Sequence, residues 1–181
     1  MIEAVRENTR RIEELHETVL LLVERLDRVA DDWEFAEREL LELRAERRLS
    51  SWLGRLLRGI RVRPPGEWER ELRSLLSPDA FARLLDADLL ARGRLVLDGQ
   101  REIWLVVEVS RVVDAQDVSR AWGWARLLRQ AGLLAVPVVL GGVLTGEAEE
   151  SVARERVLFV EATLQRVQVH GWEAARERWV A

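Results

Sequence analysis

Two acids stand at the edges of two apolar runs. Asp88 precedes Leu89–Leu97, and Glu108 lies near the end of Ile103–Val109, with Asp98-Gly99 between the runs. The runs read as strands, and Asp-Gly between such runs is a hairpin signal. Carboxylates on neighbouring strands repel when they face each other, unless a cation or proton sits between them. Hard oxygen donors of this kind suit Mg2+ or Mn2+. Such an ion polarises a phosphodiester and acidifies a bound water.

Whether the two acids meet depends on register. Alternate residues of a strand share a face, so Glu108 and Ser110 share one. Ile103, Leu105, Val107 and Val109 share the other, which reads as the core face. A two-residue Asp98-Gly99 loop pairs Leu97 with Gln100 and sets Asp88 opposite Val109, away from Glu108. A three-residue loop, Leu97-Asp98-Gly99, pairs Val96 with Gln100 and sets Asp88 opposite Glu108. A bulge at Gly93 combined with the shorter loop has the same effect.

The elements that must hold this hairpin follow from periodicity and caps. Residues 50 to 66 form a join, marked by Gly54, Gly59, Pro64, Pro65 and Gly66. One helix runs from near Glu67 to Leu76, and Ser77-Pro78 opens another carrying Phe81, Leu84 and Leu85. After Val109, Asp114 caps a helix with Asp117 three residues on and Gly132 as its stop. Val118, Ala121, Trp122, Ala125 and Leu128 form its apolar face. Leu134–Leu140 is apolar throughout and reads as a strand buried on both faces. A helix at Glu147–Arg154, strands at Val157–Val160 and Leu164–Val169, and a helix at Trp172–Trp179 complete an α/β pattern with a mixed sheet.

Asp88-Leu89-Leu90-Ala91, the hairpin, Leu105-Val106-Val107-Glu108-Val109-Ser110 and the capped helix resemble the core of the PD-(D/E)XK nucleases over residues 67 to 140. More closely still, they resemble small bacterial members in which a coiled coil precedes the domain and the motif reads Glu-Val-Ser. The resemblance implies a restriction-endonuclease-like mixed sheet flanked by helices. It implies Asp88 and Glu108 as ligands of Mg2+ or Mn2+, the Val109 carbonyl as a third contact, and hydrolysis of DNA. Ser110 occupies the position of the family's lysine. Glu69 or Glu71 are upstream acids that could join, and Gln116 and Asp117 come from the later helix. Arg111 or Arg120 could bring positive charge near a phosphate.

Composition narrows the chemistry. All 28 basic residues are arginine, and there is no cysteine. Arginine stays protonated, so no lysine base or Schiff-base amine exists, and neither do thiolate sites or disulfides. Ser110 brings no charge and is a poor base. Metal-bound hydroxide can in principle attack without a lysine, so both an active nuclease and a non-catalytic nuclease-fold scaffold remain open. His16 and His170 are too far apart in sequence for a zinc site. Gly141-Gly142 and Thr145-Gly146 lack the lysine of a phosphate-binding loop. Trp122 and Trp124 cannot share one helix face, so one of them could be exposed and stack on a base, although core packing is the commoner role of such residues.

The net charge of −4 exerts no global pull on nucleic acid, but Arg44 to Arg63 includes seven arginines against Glu46 alone. That stripe reads either as a solvated linker or as a phosphate contact. No apolar run is long enough to span a membrane, and the N-terminus lacks signal-peptide character, so the expected location is cytoplasmic.

Ahead of all this lies a heptad. Ile12, Leu15, Val19, Leu22, Leu26, Val29, Trp33, Ala36, Leu40 and Leu43 alternate steps of three and four, the a/d seam of a coiled coil. Val5 and Asn8 extend it backward. The expected organisation is a coiled-coil oligomerisation helix over 1–53, a linker over 54–66 and the α/β domain over 67–181. Self-association runs through residues 5–43. Leu20, Leu21 and Val23 widen the face and lean away from a simple dimer.

Overall fold

The computed structural model describes residues 2–99, 101–163 and 165–180. The chain divides into two compact units, Met1–Glu37 and Arg38–Ala181. Helix α1 (Ile2–Trp52) supplies the whole described part of the first unit and the opening residues of the second. No proline or glycine interrupts it, and in the second unit its Ala45 and Leu49 are fully buried.

Strand β1 (Leu57–Arg63) follows. A short helical stretch, Pro65–Trp68 continuing into α2 (Glu69–Leu72), leads to α3 (Pro78–Leu84). The Ser77 hydroxyl caps α3 by accepting from the Ala80 N–H. Next come β2 (Leu89–Leu95), β3 (Glu102–Val109), the two-residue β4 (Val112–Val113) and α4 (Ala115–Gln130). The chain ends with β5 (Ala135–Gly141), β6 (Val143–Leu144), α5 (Gly146–Glu155), β7 (Leu158–Ala162), β8 (Val167–His170) and α6 (Trp172–Trp179).

One six-stranded sheet has the order β1-β2-β3-β5-β7-β8, and β4 pairs with β6 apart from it. β1, β2 and β3 run antiparallel, β3, β5 and β7 are parallel, and β8 is antiparallel to β7. The fold is therefore α/β with a mixed sheet. The parallel steps β3–α4–β5 and β5–α5–β7 carry helical crossovers, as parallel neighbours require.

β3 departs from the expected one-sided pattern. Every residue from Ile103 to Val109 is buried, because β3 is central and both of its faces are covered. Trp68 packs edge-on against Trp104 on one of them. β1 is an element that the reading of residues 54–66 as a join passed over. Its register with β2 shifts between Arg58 and Arg61, and Gly59 supplies a positive φ of 62° within that bulge. No register shift occurs in β2 against β3, where Gly93 pairs regularly with Ile103. Among the expected elements, Gln100 of the hairpin loop and Leu164 at the start of a strand lie outside the described residues.

Candidate active site

The β2–β3 register decides the geometry. Leu89 pairs with Val107 and Leu90 with Val106, so one further step places Asp88 opposite Glu108. This is the register that a three-residue loop gives, reached without a bulge at Gly93. At the other end the Leu95 N–H donates to the Arg101 carbonyl at 3.1 Å.

Asp88 is held by two donors. Its Oδ2 accepts from the Val109 N–H at 2.7 Å, and its Oδ1 accepts from the Arg38 guanidinium at 3.1 Å. Glu108 is 2% exposed, and its Oε2 accepts from Arg120 Nε at 2.7 Å. Burial, then the Asp88 charge, pushes the Glu108 carboxyl from 4.5 up to about 8, and Arg120 offsets part of that rise.

α4 positions Arg120 through a capping box. The Asp114 side chain accepts from the Gln116 and Asp117 N–H groups, and Asp117 Oδ2 accepts from the Asp114 N–H. The other oxygen of Asp117, a buried residue, binds Arg120. Arg120 thus links the cap of α4 to the acid on β3.

A fourth acid comes from α1. Glu42 accepts from Arg38 at 3.3 Å, and burial followed by the Asp88 charge raises its carboxyl above the usual range. Glu69 and Glu71, the upstream acids considered from sequence, lie on α2 instead, where Glu69 pairs with Arg73 at 3.0 Å. Nothing local in the sequence marked Glu42, a charged residue off the seam of a long helix.

The other candidates divide. The Ser110 hydroxyl donates to the Val112 carbonyl at 2.9 Å, and its N–H donates to the Leu140 carbonyl. Arg111 and Gln116 are exposed, and Gln116 contributes its N–H to the cap. Trp124 is buried and Trp122 half-buried, with Arg126 over the Trp122 ring at 4.6 Å. Gly141 is required beside Ser110, since a Cβ there would lie 2.2 Å from the Ser110 carbonyl oxygen.

The donor set is all oxygen. Among the described residues the acids Glu42, Asp88, Glu108 and Asp117 are bridged by the Arg38 and Arg120 guanidinium groups, and hard oxygen donors suit a divalent cation. Among the described residues no three acid or histidine side chains form a ready-made ion cage. Mg2+ commonly binds through one or two carboxylates and keeps several waters, so Asp88, Glu108 and the Val109 carbonyl are a fitting set. No family model matches the chain, and neither the curated proteins nor the solved structures contain a match to it.

Proposed function

We propose that residues 38–180 form a PD-(D/E)XK-like nuclease domain that uses Mg2+ or Mn2+ to hydrolyse DNA phosphodiesters. Asp88, Glu108 and the Val109 carbonyl hold the ion. The observation that carries this reading is the β2–β3 register, which sets Asp88 opposite Glu108. The order of hairpin, capped helix and parallel strand also agrees with the family resemblance. A bound divalent ion supplies Lewis acidity and an acidified water. The chain's own part is to fix the two carboxylates through Arg38, the Val109 N–H and Arg120, and to place the Arg120 guanidinium, 43% exposed, beside them.

The seam of α1 assembles the chains in this proposal. Ile12, Leu15, Leu26, Val29 and Trp33 are each 63–67% exposed on an uninterrupted helix. A stripe of that length is stable in water when a second copy covers it.

A second reading, a scaffold without catalysis, is favoured by three contacts. Arginines already neutralise part of the charge on both acids, and the Ser110 hydroxyl is turned to the Val112 carbonyl. The deciding experiment pairs Mn2+ calorimetry on wild type and Glu108→Ala with cleavage of plasmid and labelled oligonucleotides. Binding and cleavage, both lost in the variant, support the nuclease. Binding without cleavage supports the scaffold, and no binding removes the metal site.

A further inference from the structure

β1 and β2 carry an arginine cluster that no catalytic argument uses. In the paired register Arg58 stands opposite Arg94, and Arg61 stands opposite Arg92. Residues 58 and 61 are three apart, so a regular strand would send them to opposite faces. The one-residue bulge between them, with Gly59 at φ 62°, turns both to the same side. Gly93 faces the bulge and leaves little room for a side chain, since a Cβ would lie 3.1 Å from Ile60 Cγ1 and 3.3 Å from the Arg58 carbonyl oxygen. The four arginines line one depression of about 330 Å³ together with Glu102.

Like charges directly opposite on paired strands destabilise a sheet, and here two such pairs are adjacent. Glu102 approaches Arg92 at 3.8 Å, and the Arg92 guanidinium also lies over the Trp68 and Trp104 rings. Among the described residues no ion-pair partner is found for Arg58, Arg61 or Arg94, all exposed. The two rungs are about 6.6 Å apart along β2, an interval comparable with that between neighbouring phosphates on an extended strand. The surface is not built for a bilayer, because none of the exposed large apolar side chains belongs to β1 or β2.

We infer that Arg58, Arg61, Arg92 and Arg94 bind the phosphate backbone of a nucleic acid. The inference goes beyond the proposed nuclease reading, and binding does not depend on catalysis. The test is fluorescence anisotropy of a labelled 20-nucleotide DNA, single-stranded and as a duplex, with the full chain in EDTA. Wild type is compared with Arg58→Gln/Arg94→Gln, with Arg61→Gln alone, and with Arg154→Gln/Arg178→Gln as a charge-matched control.

The expected result is a roughly tenfold loss of affinity in the Arg58/Arg94 variant. Its salt slope should fall by about 1.8 for duplex or about 1.4 for single strands, with no change in the control. Arg61→Gln should lower the slope by about half as much. Unchanged affinity and slope in both β1–β2 variants would overturn the inference, as would an equal loss in the control. So would loss of binding to phosphatidylserine vesicles with DNA binding intact. Arginine-dependent DNA binding without Mn2+-dependent cleavage upholds the inference while the nuclease reading fails. Cleavage and binding that ignore these arginines give the reverse.

Discussion

The Asp88 carboxylate accepts a hydrogen bond from the Val109 N–H at 2.7 Å, which ties the acid that precedes β2 to the residue after Glu108. The contact fixes how far β2 runs along β3 at the end where the acids lie. The Asp88 charge in turn bears on Glu108.

Stability should fall as pH rises through the range in which Glu108 ionises. Its folded value, about 8, lies above its ordinary 4.5. The fold therefore favours the protonated acid. The corresponding stabilisation is complete below about 4.5, is lost progressively up to about 8, and is absent above that. Glu108→Gln should lose this slope and melt roughly 5 °C or more above wild type at pH 9. Thermal melts of both proteins from pH 5 to 9 check this, and parallel curves would refute it.

Arg120→Gln should destabilise more at pH 9 than at pH 5, where its bond to Asp117 is the main loss. At the higher pH it strands a buried carboxylate. Because Arg120 is 43% exposed, solvent screening reduces the cost to about 1–3 kcal/mol. Adding Glu108→Gln should restore stability at pH 9. Urea titration of the double-mutant cycle reads the coupling, and additivity of the two changes would count against it.

Gly141→Ala should destabilise the domain by about 1–3 kcal/mol. The added carbon meets the Ser110 carbonyl oxygen at 2.2 Å and Val113 Cγ2 at 2.7 Å. The measurement is the urea midpoint, with Gly146→Ala as the comparison, since nothing lies within 4 Å of a Cβ there.

The α1 seam predicts that the full chain is oligomeric at micromolar concentration. Leu15→Asp/Leu22→Asp should be monomeric, with its domain melting transition retained. Sedimentation equilibrium distinguishes the two, and a monomeric wild type rejects the seam as an interface.

Much of the fold was legible because its signals were periodic or local. The Trp172–Trp179 helix and the Asp114 cap appear as read, and the strands on either side of Asp98-Gly99 differ by only a few residues at their ends. β1 was not legible because its bulge breaks the alternation of Leu57, Ile60 and Val62, and because arginines and glycine dominate it. β4 and β6 are two residues each, too short to show a period. The register that sets Asp88 opposite Glu108 was one of two that the loop and the glycines allowed. Glu42 was hidden because a charged residue off the seam of a long helix looks like solvent-facing coiled-coil flank. Its approach to Asp88 is a tertiary contact, with no local pattern in sequence.

β3 lies between β2 and β5 and is buried from Ile103 to Val109. Its amides are therefore among the last to reach solvent, released from deuterium protection only when the whole domain opens. Glu108 rides on that segment, so its placement should persist for as long as the chain is folded and should not fluctuate with any loop.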